Sequence, residues 1–309
     1  MKTNNFRPKA YIVLLLSSLL YGGNLVAAKL LASKVPLAAL AAIRGYLGLL
    51  ILIPFAYGQL RKGPKPSGRD ILFLAVVGFC GITVAYLTFL WGVQHSSGTN
   101  ASIIFATGPA VTNGLLALGW RVKPTKRGVL GIVISFTGLF FVFMRGSFHN
   151  FLALHLSMGD LLLFANVISV ALFAILGQRA MKRFSPMALT VYSLFFGTLF
   201  LTPYGLWQGL SSAWNISGSG WLLVLYMGAM VTGFAVLFNM QGINLIGSGQ
   251  AAIFSNLLPV FGILLSVILL KETLAAYHWT GFALVLFGMV LSLVQNKQVE
   301  NSLQMGPMR

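Results

Sequence analysis

Polar side chains inside long apolar runs are the residues of this sequence whose types and positions could bind a ligand. They are amides and phenols: Tyr21, Asn24, Tyr86, Asn100, Asn166, Asn239, Gln250 and Asn256. A polar group in an apolar environment is costly unless it is hydrogen-bonded, so each must pair with a neighbouring helix or face a cavity. Pairing contributes about 0.6 kcal/mol per hydrogen bond on average. If these residues face a cavity instead, they predict an uncharged, partly aromatic pocket for neutral or zwitterionic organic solutes.

The ionisable groups near these runs are few, and they lie toward the ends. Arg44 lies about two turns inside one run, and Asp160 and Glu272 lie at the ends of two others. Such charges commonly reach toward the surface or pair with one another. In the structural interpretation, which we favour, Arg44 pairs with a carboxylate. In the functional one, these residues form a gate, or Arg44 attracts the carboxylate of a substrate.

Catalytic chemistry has little support in the sequence. The four histidines are dispersed, the single cysteine is Cys80, and no spacing matches a metal site or a set of nucleophile and base. We therefore predict no enzyme activity, no catalytic residue, no metal and no cofactor. No Asp, Glu or His lies near the middle of an apolar run, where proton relays usually lie. Facilitated diffusion or exchange is the expected mode of coupling.

The elements that position these residues are predicted from composition. Hydrophobic residues make up 57% of the 309 positions and charged residues 8%, whereas soluble domains carry about 25% charged residues. A membrane-spanning helix needs about 20 apolar residues. Ten segments qualify, which predicts an all-α polytopic membrane protein: 11–31, 37–57, 71–92, 99–119, 128–144, 160–180, 187–207, 220–242, 249–270 and 277–295.

The basic residues predict the orientation of these spans. With a cytoplasmic N-terminus, sixteen lysines and arginines fall in cytoplasmic segments and three at external ends, as the positive-inside rule expects. Both termini are then cytoplasmic, in an inner or plasma membrane. The same distribution explains the net charge of +17 without a nucleic-acid partner.

An internal repeat appears when the sequence is shifted by 150 residues. Pro36 then meets Pro186, Gly78 meets Gly228, and Gly92 meets Gly242. The predicted halves, 1–145 and 146–309, hold five spans each, and an odd number inverts the second half in the membrane. Inverted repeats are typical of secondary transporters, in which one half rocks against the other.

The same shift aligns two prolines, Pro109 and Pro259, each about half-way along its span. A proline inside a helix removes one backbone hydrogen bond and kinks the helix. Matched interruptions in the two halves are a pointer to a transporter's binding site. We expect both residues to be helix kinks beside the polar pocket.

The motifs resemble those of the drug/metabolite transporter superfamily, specifically its EamA type. The first half reads Tyr21-Gly22-Gly23-Asn24, then Pro36 and Arg44; the second ends Leu258-Pro259-Val260-Phe261, then Leu270-Lys271-Glu272, then Trp279-Thr280-Gly281. The resemblance covers nearly the whole chain. It implies ten helices, cytoplasmic termini and movement, often export, of small metabolites. One departure is Val122, which stands where the family's first half carries an acidic residue.

These observations predict a secondary transporter that moves small organic metabolites, such as amino acids or related compounds, by alternating access. It would act as an exporter or facilitator. The expected partners are a small-molecule substrate and membrane lipid, and the protein would be a monomer or a homodimer. Two alternatives remain open: an exporter of lipids or hydrophobic drugs, and a membrane scaffold that transports nothing.

Overall fold

The computed structural model describes residues 8–31, 33–96, 101, 104–120, 125–143, 157–270 and 276–293, and every regular element in these ranges is helical. A short helix, Ser248–Ala251, and a 3-10 segment, Ala252–Asn256, precede the helix that begins at Leu257. The main helices are α1 Pro8–Leu31, α2 Leu37–Lys62, α3 Gly68–His95, α4 Gly108–Trp120, α5 Lys126–Phe143, α6 Met158–Ala180, α7 Pro186–Ser211, α8 Gly218–Ile246, α9 Leu257–Leu270 and α10 Ala276–Leu293.

Within the described ranges, seven helical segments are long and apolar enough to cross a membrane. They are α1 to α3, α6 to α8, and the segment Ser248–Leu265. The prediction of an all-helical membrane protein is confirmed for this part of the chain. The count of ten spans stays a prediction.

Serine caps set the starts of several helices. Ser67 and Asp70 form a capping box at the start of α3, and Ser157 and Asp160 form another at the start of α6. In such a box each side chain satisfies a backbone N–H group that the helix itself leaves unpaired. α7 begins with Pro186 at its first position, where the missing N–H group has no helical partner to lose.

Two helices contain wide, π-helical segments at corresponding places. One is Phe79–Val84 in α3, and the other is Tyr226–Ala235 in α8. Shifting the first by 150 residues gives 229–234, which lies inside the second. π-helical turns are rare and often occur at functional sites.

Close helix contacts at glycines occur at positions that correspond under the same shift of 150 residues. Gly78 of α3 lies against Gly197 of α7, and Gly228 of α8 lies against Leu47 of α2. Moving the first pair by 150 residues, forward for Gly78 and back for Gly197, gives the second pair. A Cβ at Gly78 would lie 3.0 Å from the Gly197 nitrogen, and one at Gly228 would lie 2.5 Å from the Leu47 Cβ. Neither position has room for a side chain.

The pair formed by α5 and α10 shows the recurrence again. A Cβ at Gly138 would lie 2.8 Å from the Gly281 carbonyl oxygen, and one at Gly288 would lie 2.5 Å from that of Gly131. Small residues let helix backbones approach closely in this way. The correspondence seen in the sequence is therefore also present in the packing.

Candidate functional site

The side chain of Arg44 is the centre of the candidate site. It projects from α2 into the protein and is 2% exposed. Its Nε donates a hydrogen bond of 2.9 Å to Thr232 Oγ1 of α8. Its guanidinium carbon lies 4.3 Å from the centroid of the Tyr86 ring of α3. Nη1 is buried and has no hydrogen-bond partner among the described residues.

The carboxylates that the structure describes lie elsewhere. Asp70 forms an ion pair of 2.8 Å with Arg183. Asp160 caps α6 and accepts a hydrogen bond from Ser96. The ion pair that the structural interpretation of Arg44 required is thus not formed with either residue, because both carboxylates serve helix starts. Glu272, the third predicted charge, lies outside the described residues.

Two tyrosines accompany Arg44. Tyr86 is buried, and its hydroxyl group has no hydrogen-bond partner in the described part of the chain. Tyr21 of α1 is half-buried and lies within electrostatic range of both Arg44 and Tyr86. Arg44 and Tyr86 therefore meet here from two different helices, with Tyr21 of a third helix within electrostatic range. A cationic fork with phenol groups beside it can bind an anionic oxygen pair.

α1 connects this cluster to a second group of polar atoms. Asn24 lies three residues after Tyr21, is buried, and leaves its Oδ1 without a described partner. Asn256 is 1% exposed, and both atoms of its amide lack a partner within the described ranges. Ser18 of α1 donates to the Phe254 carbonyl oxygen at 2.9 Å, so α1 packs against the segment that carries Asn256.

Each of the two prolines lies just after a local change of helix geometry within its run. Pro109 is the second residue of α4, and Pro259 is the third residue of α9. In the first turn of a helix a missing N–H group removes no hydrogen bond. The preceding segments depart from α-helix: Thr107 N–H bonds to the Ile104 carbonyl at 3.0 Å, and Ala252–Asn256 is 3-10 helix. Each run is thus divided next to its proline.

A side-chain bridge links the two divided regions. Asn113 Nδ2 donates to the Pro109 carbonyl oxygen at 2.8 Å and to that of Gly249 at 3.3 Å. Gly108 faces Ser255, with 3.1 Å between its would-be Cβ and Ser255 Oγ. The interruptions in the two halves are therefore in contact with each other.

The remaining predicted site residues have other positions. Asn166 of α6 donates to the Ala85 carbonyl of α3 at 2.7 Å, which is the interhelical hydrogen bond considered as the alternative to a pocket. Asn239 is half-buried on α8, and Gln250 is half-buried on the short helix before α9. Asn100 lies outside the described residues.

Sequence reasoning missed Thr232 and Thr198. Thr232 holds the Arg44 Nε, and Thr198 of α7 packs on Gly45, the residue after Arg44. The Thr198 hydroxyl is buried with no partner among described groups. A single threonine in an apolar run carries no signal by itself, because its hydroxyl usually bonds to its own helix, as Thr202 does to Thr198 O.

The cluster breaks the correspondence between the halves. Shifting Tyr21, Arg44 and Tyr86 by 150 residues gives Ala171, Leu194 and Val236, and shifting Asn24 gives Ala174. The shared glycines thus maintain similar packing in both halves, while these four side chains have no polar counterpart at the shifted positions.

Comparison with known proteins gives a consistent result. The EamA-like transporter family matches residues 8–144 and 157–294. The chain is 27% identical to the uncharacterized transporter YetK of Bacillus subtilis (strain 168), over 94% of this chain and 88% of that protein. It is 25% identical to the uncharacterized inner membrane transporter YicL of Salmonella typhimurium, over 94% and 97%.

The fold also resembles a solved one. A crystal structure superposes with a TM-score of 0.73 at 16% identity, over 93% of this chain and 96% of the other. At this identity the likeness concerns the fold alone.

Proposed function

We infer that this protein, which belongs to the EamA-like transporter family and is a membrane transporter, carries small organic metabolites by alternating access. Amino acids and related compounds are the substrates that its polar groups suit best. It works as an exporter or facilitator, with ten spans, two inverted halves and cytoplasmic termini in an inner or plasma membrane.

The observation that carries this proposal is that the Arg44 cluster is assembled from both halves of the chain. Tyr21, Arg44 and Tyr86 come from the first half, and Thr232 comes from the second. A site shared between two packed halves changes its exposure when one half moves against the other. Buried amides on Asn24 and Asn256 extend the polar surface along α1.

The divided helices support the same site. Interrupted spans in corresponding positions of the two halves accompany substrate sites in many transporters, because they free backbone groups near the middle of the membrane. Here the interruptions lie directly before Pro109 and Pro259, and Asn256 is the last residue of the 3-10 segment.

Flux measurements in proteoliposomes test the proposal. Vesicles that contain the full-length protein are loaded with pooled radiolabelled amino acids and nucleobases, with and without an imposed proton gradient. The wild type is compared with Asn256→Leu, and the matched control is Asn166→Leu, whose amide already bonds to α3. We expect flux in the wild type, loss of flux in Asn256→Leu, and retained flux in the control.

Each other outcome has a defined meaning. Equal flux in the wild type and Asn256→Leu would contradict the placement of the site and favour a hydrophobic substrate, since such a substrate tolerates leucine. No flux from folded wild-type protein would favour a lipid or drug substrate or a scaffold role. Accumulation driven by the proton gradient would contradict the facilitator mechanism and direct attention to Asp160 and Glu272.

A further inference from the structure

The buried charge of Arg44 is incompletely neutralised. Moving an ion out of water costs several kcal/mol even after relaxation, and an ion pair with good geometry normally offsets this cost. Arg44 is the only buried cation among the described residues. Its described neighbours, a threonine and a tyrosine, supply no opposite charge. An anion is therefore the group that this environment lacks.

We propose that Arg44 binds the carboxylate of the transported solute, and that the Tyr86 hydroxyl donates to the same group. This inference rests on the proposed transport function and names the substrate class. The planar guanidinium presents donors in a fork that matches two carboxylate oxygens. Nη1 of Arg44 and the hydroxyl of Tyr86 are both buried and both without a described partner.

The surroundings define which carboxylates fit. One buried cation neutralises one carboxylate, so the site selects monocarboxylates over dicarboxylates. The free amide oxygens of Asn24 and Asn256 are acceptors, and an ammonium group consists only of donors. A neutral α-amino acid in its zwitterionic form satisfies both requirements, with its carboxylate on Arg44 and its ammonium group toward these amides.

Arg44 has no charged counterpart at the corresponding position of the second half. The positions that correspond to Tyr21, Arg44 and Tyr86 in the second half are occupied by alanine, leucine and valine. The cluster thus offers a single cation, so one carboxylate per ligand is expected. Neutral α-amino acids, with leucine and phenylalanine as representative probes, are therefore the expected ligands.

Ligand binding to the full-length protein in nanodiscs tests this assignment. The probes are three related compounds: L-leucine, its deaminated analogue 4-methylpentanoate, and its amide L-leucinamide. The same three forms of phenylalanine make a second series. Binding is measured as thermal stabilisation and by tryptophan fluorescence. The amino acid and the deaminated acid are expected to bind, and the amide to bind about 30-fold more weakly, equivalent to about 2 kcal/mol.

Comparison of the zwitterion with the deaminated acid isolates the ammonium contact. Tighter binding of the amino acid supports a zwitterionic substrate, and equal binding supports a simple monocarboxylate. Both results support the carboxylate assignment. If the amide binds as tightly as the acid in both series, or if neither acid binds, the assignment is overturned.

Variants test which residues bind the carboxylate. Arg44→Met is expected to weaken binding of both acids about 30-fold, and Tyr86→Phe, which keeps the ring but loses the hydroxyl, about fivefold. The matched control is Arg183→Gln, because Arg183 is half-exposed and paired with Asp70. Unchanged acid binding in Arg44→Met overturns the proposal. Should that variant not fold, Tyr86→Phe and the wild-type ligand series still decide.

The experiments distinguish a failure of the carboxylate-site proposal from a failure of the proposed transport function. Proteoliposomes that move nucleobases but show no binding of either acid would keep the transporter and refute the carboxylate site. Acid binding without any flux would keep the site and refute the transporter.

Discussion

Replacing Arg44 by methionine is expected to leave the ligand-free protein about as stable as the wild type. Methionine is unbranched and flexible, so it fills the space of the aliphatic part of the arginine side chain without a charge. The loss is one hydrogen bond from a charged donor to Thr232, about 1.5–3 kcal/mol, and one cation–π contact with Tyr86, about 0.5–2 kcal/mol. The gain is release from a desolvation penalty of several kcal/mol.

These opposing contributions nearly cancel, so the free energy of unfolding should change by no more than about 1–2 kcal/mol. Thr232→Val changes the balance in the other direction, because it removes the hydroxyl and leaves the charge in place. It is expected to destabilise the protein by about 1.5–3 kcal/mol. Loss of a small hydroxyl should therefore be more harmful than loss of the whole charged side chain.

Chemical unfolding in detergent micelles, followed by tryptophan fluorescence without ligand, measures both variants. If Arg44 instead formed a buried ion pair with a carboxylate, its replacement would destabilise the protein much more, since breaking a buried pair costs about 3–5 kcal/mol. A loss of that size in Arg44→Met, or a larger loss than in Thr232→Val, would refute the view that the resting protein leaves this cation unpaired.

Three further substitutions test other parts of the structure. Gly288→Val should destabilise the protein by about 1–3 kcal/mol, because a Cβ there would lie 2.5 Å from a carbonyl oxygen of α5; Gly114→Val, where a Cβ meets open space, is the control in the same unfolding assay. Asn113→Leu should cost about 1 kcal/mol per lost hydrogen bond and lower the melting temperature while leaving acid binding unchanged. Arg183→Gln should change stability by less than about 1 kcal/mol, since Arg183 is half-exposed where it meets Asp70; a loss that persists in high salt would contradict this.

The parts of the architecture that depend on composition and local pattern could be predicted from the sequence. Long apolar runs have few alternatives to helices in a membrane, and glycines at matched positions mark close helix contacts. Tyr21, Arg44 and Tyr86 could each be selected as polar groups in apolar runs. Their meeting could not be predicted, because it depends on how three helices cross.

Two residues show local features that the structure adds to the sequence analysis. Asp160 was considered as a gate or a partner for Arg44, yet the serine three residues before it forms the pattern of a capping box, which is readable from sequence. Pro109 lies directly after the break at Thr107, and its place in the first turn of α4 means that the missing N–H group removes no hydrogen bond.

The π-helical segments in α3 and α8 determine the direction in which Tyr86 and Thr232, the two neighbours of the Arg44 guanidinium, point. Tyr86 follows the π segment Phe79–Val84 by two residues, and Thr232 lies inside the segment Tyr226–Ala235. Each residue of an α-helix turns the chain by about 100°, and a π-helical bulge contains one residue more than the regular helix. Because the bulge takes up this extra residue, the chain after it keeps the face that a regular helix one residue shorter would give. A regular α-helix through all the same residues would instead rotate everything after the segment by about 100°. The phenol ring or the hydroxyl would then face another neighbour, although the chain would still fold as a helix through the same layer of lipid.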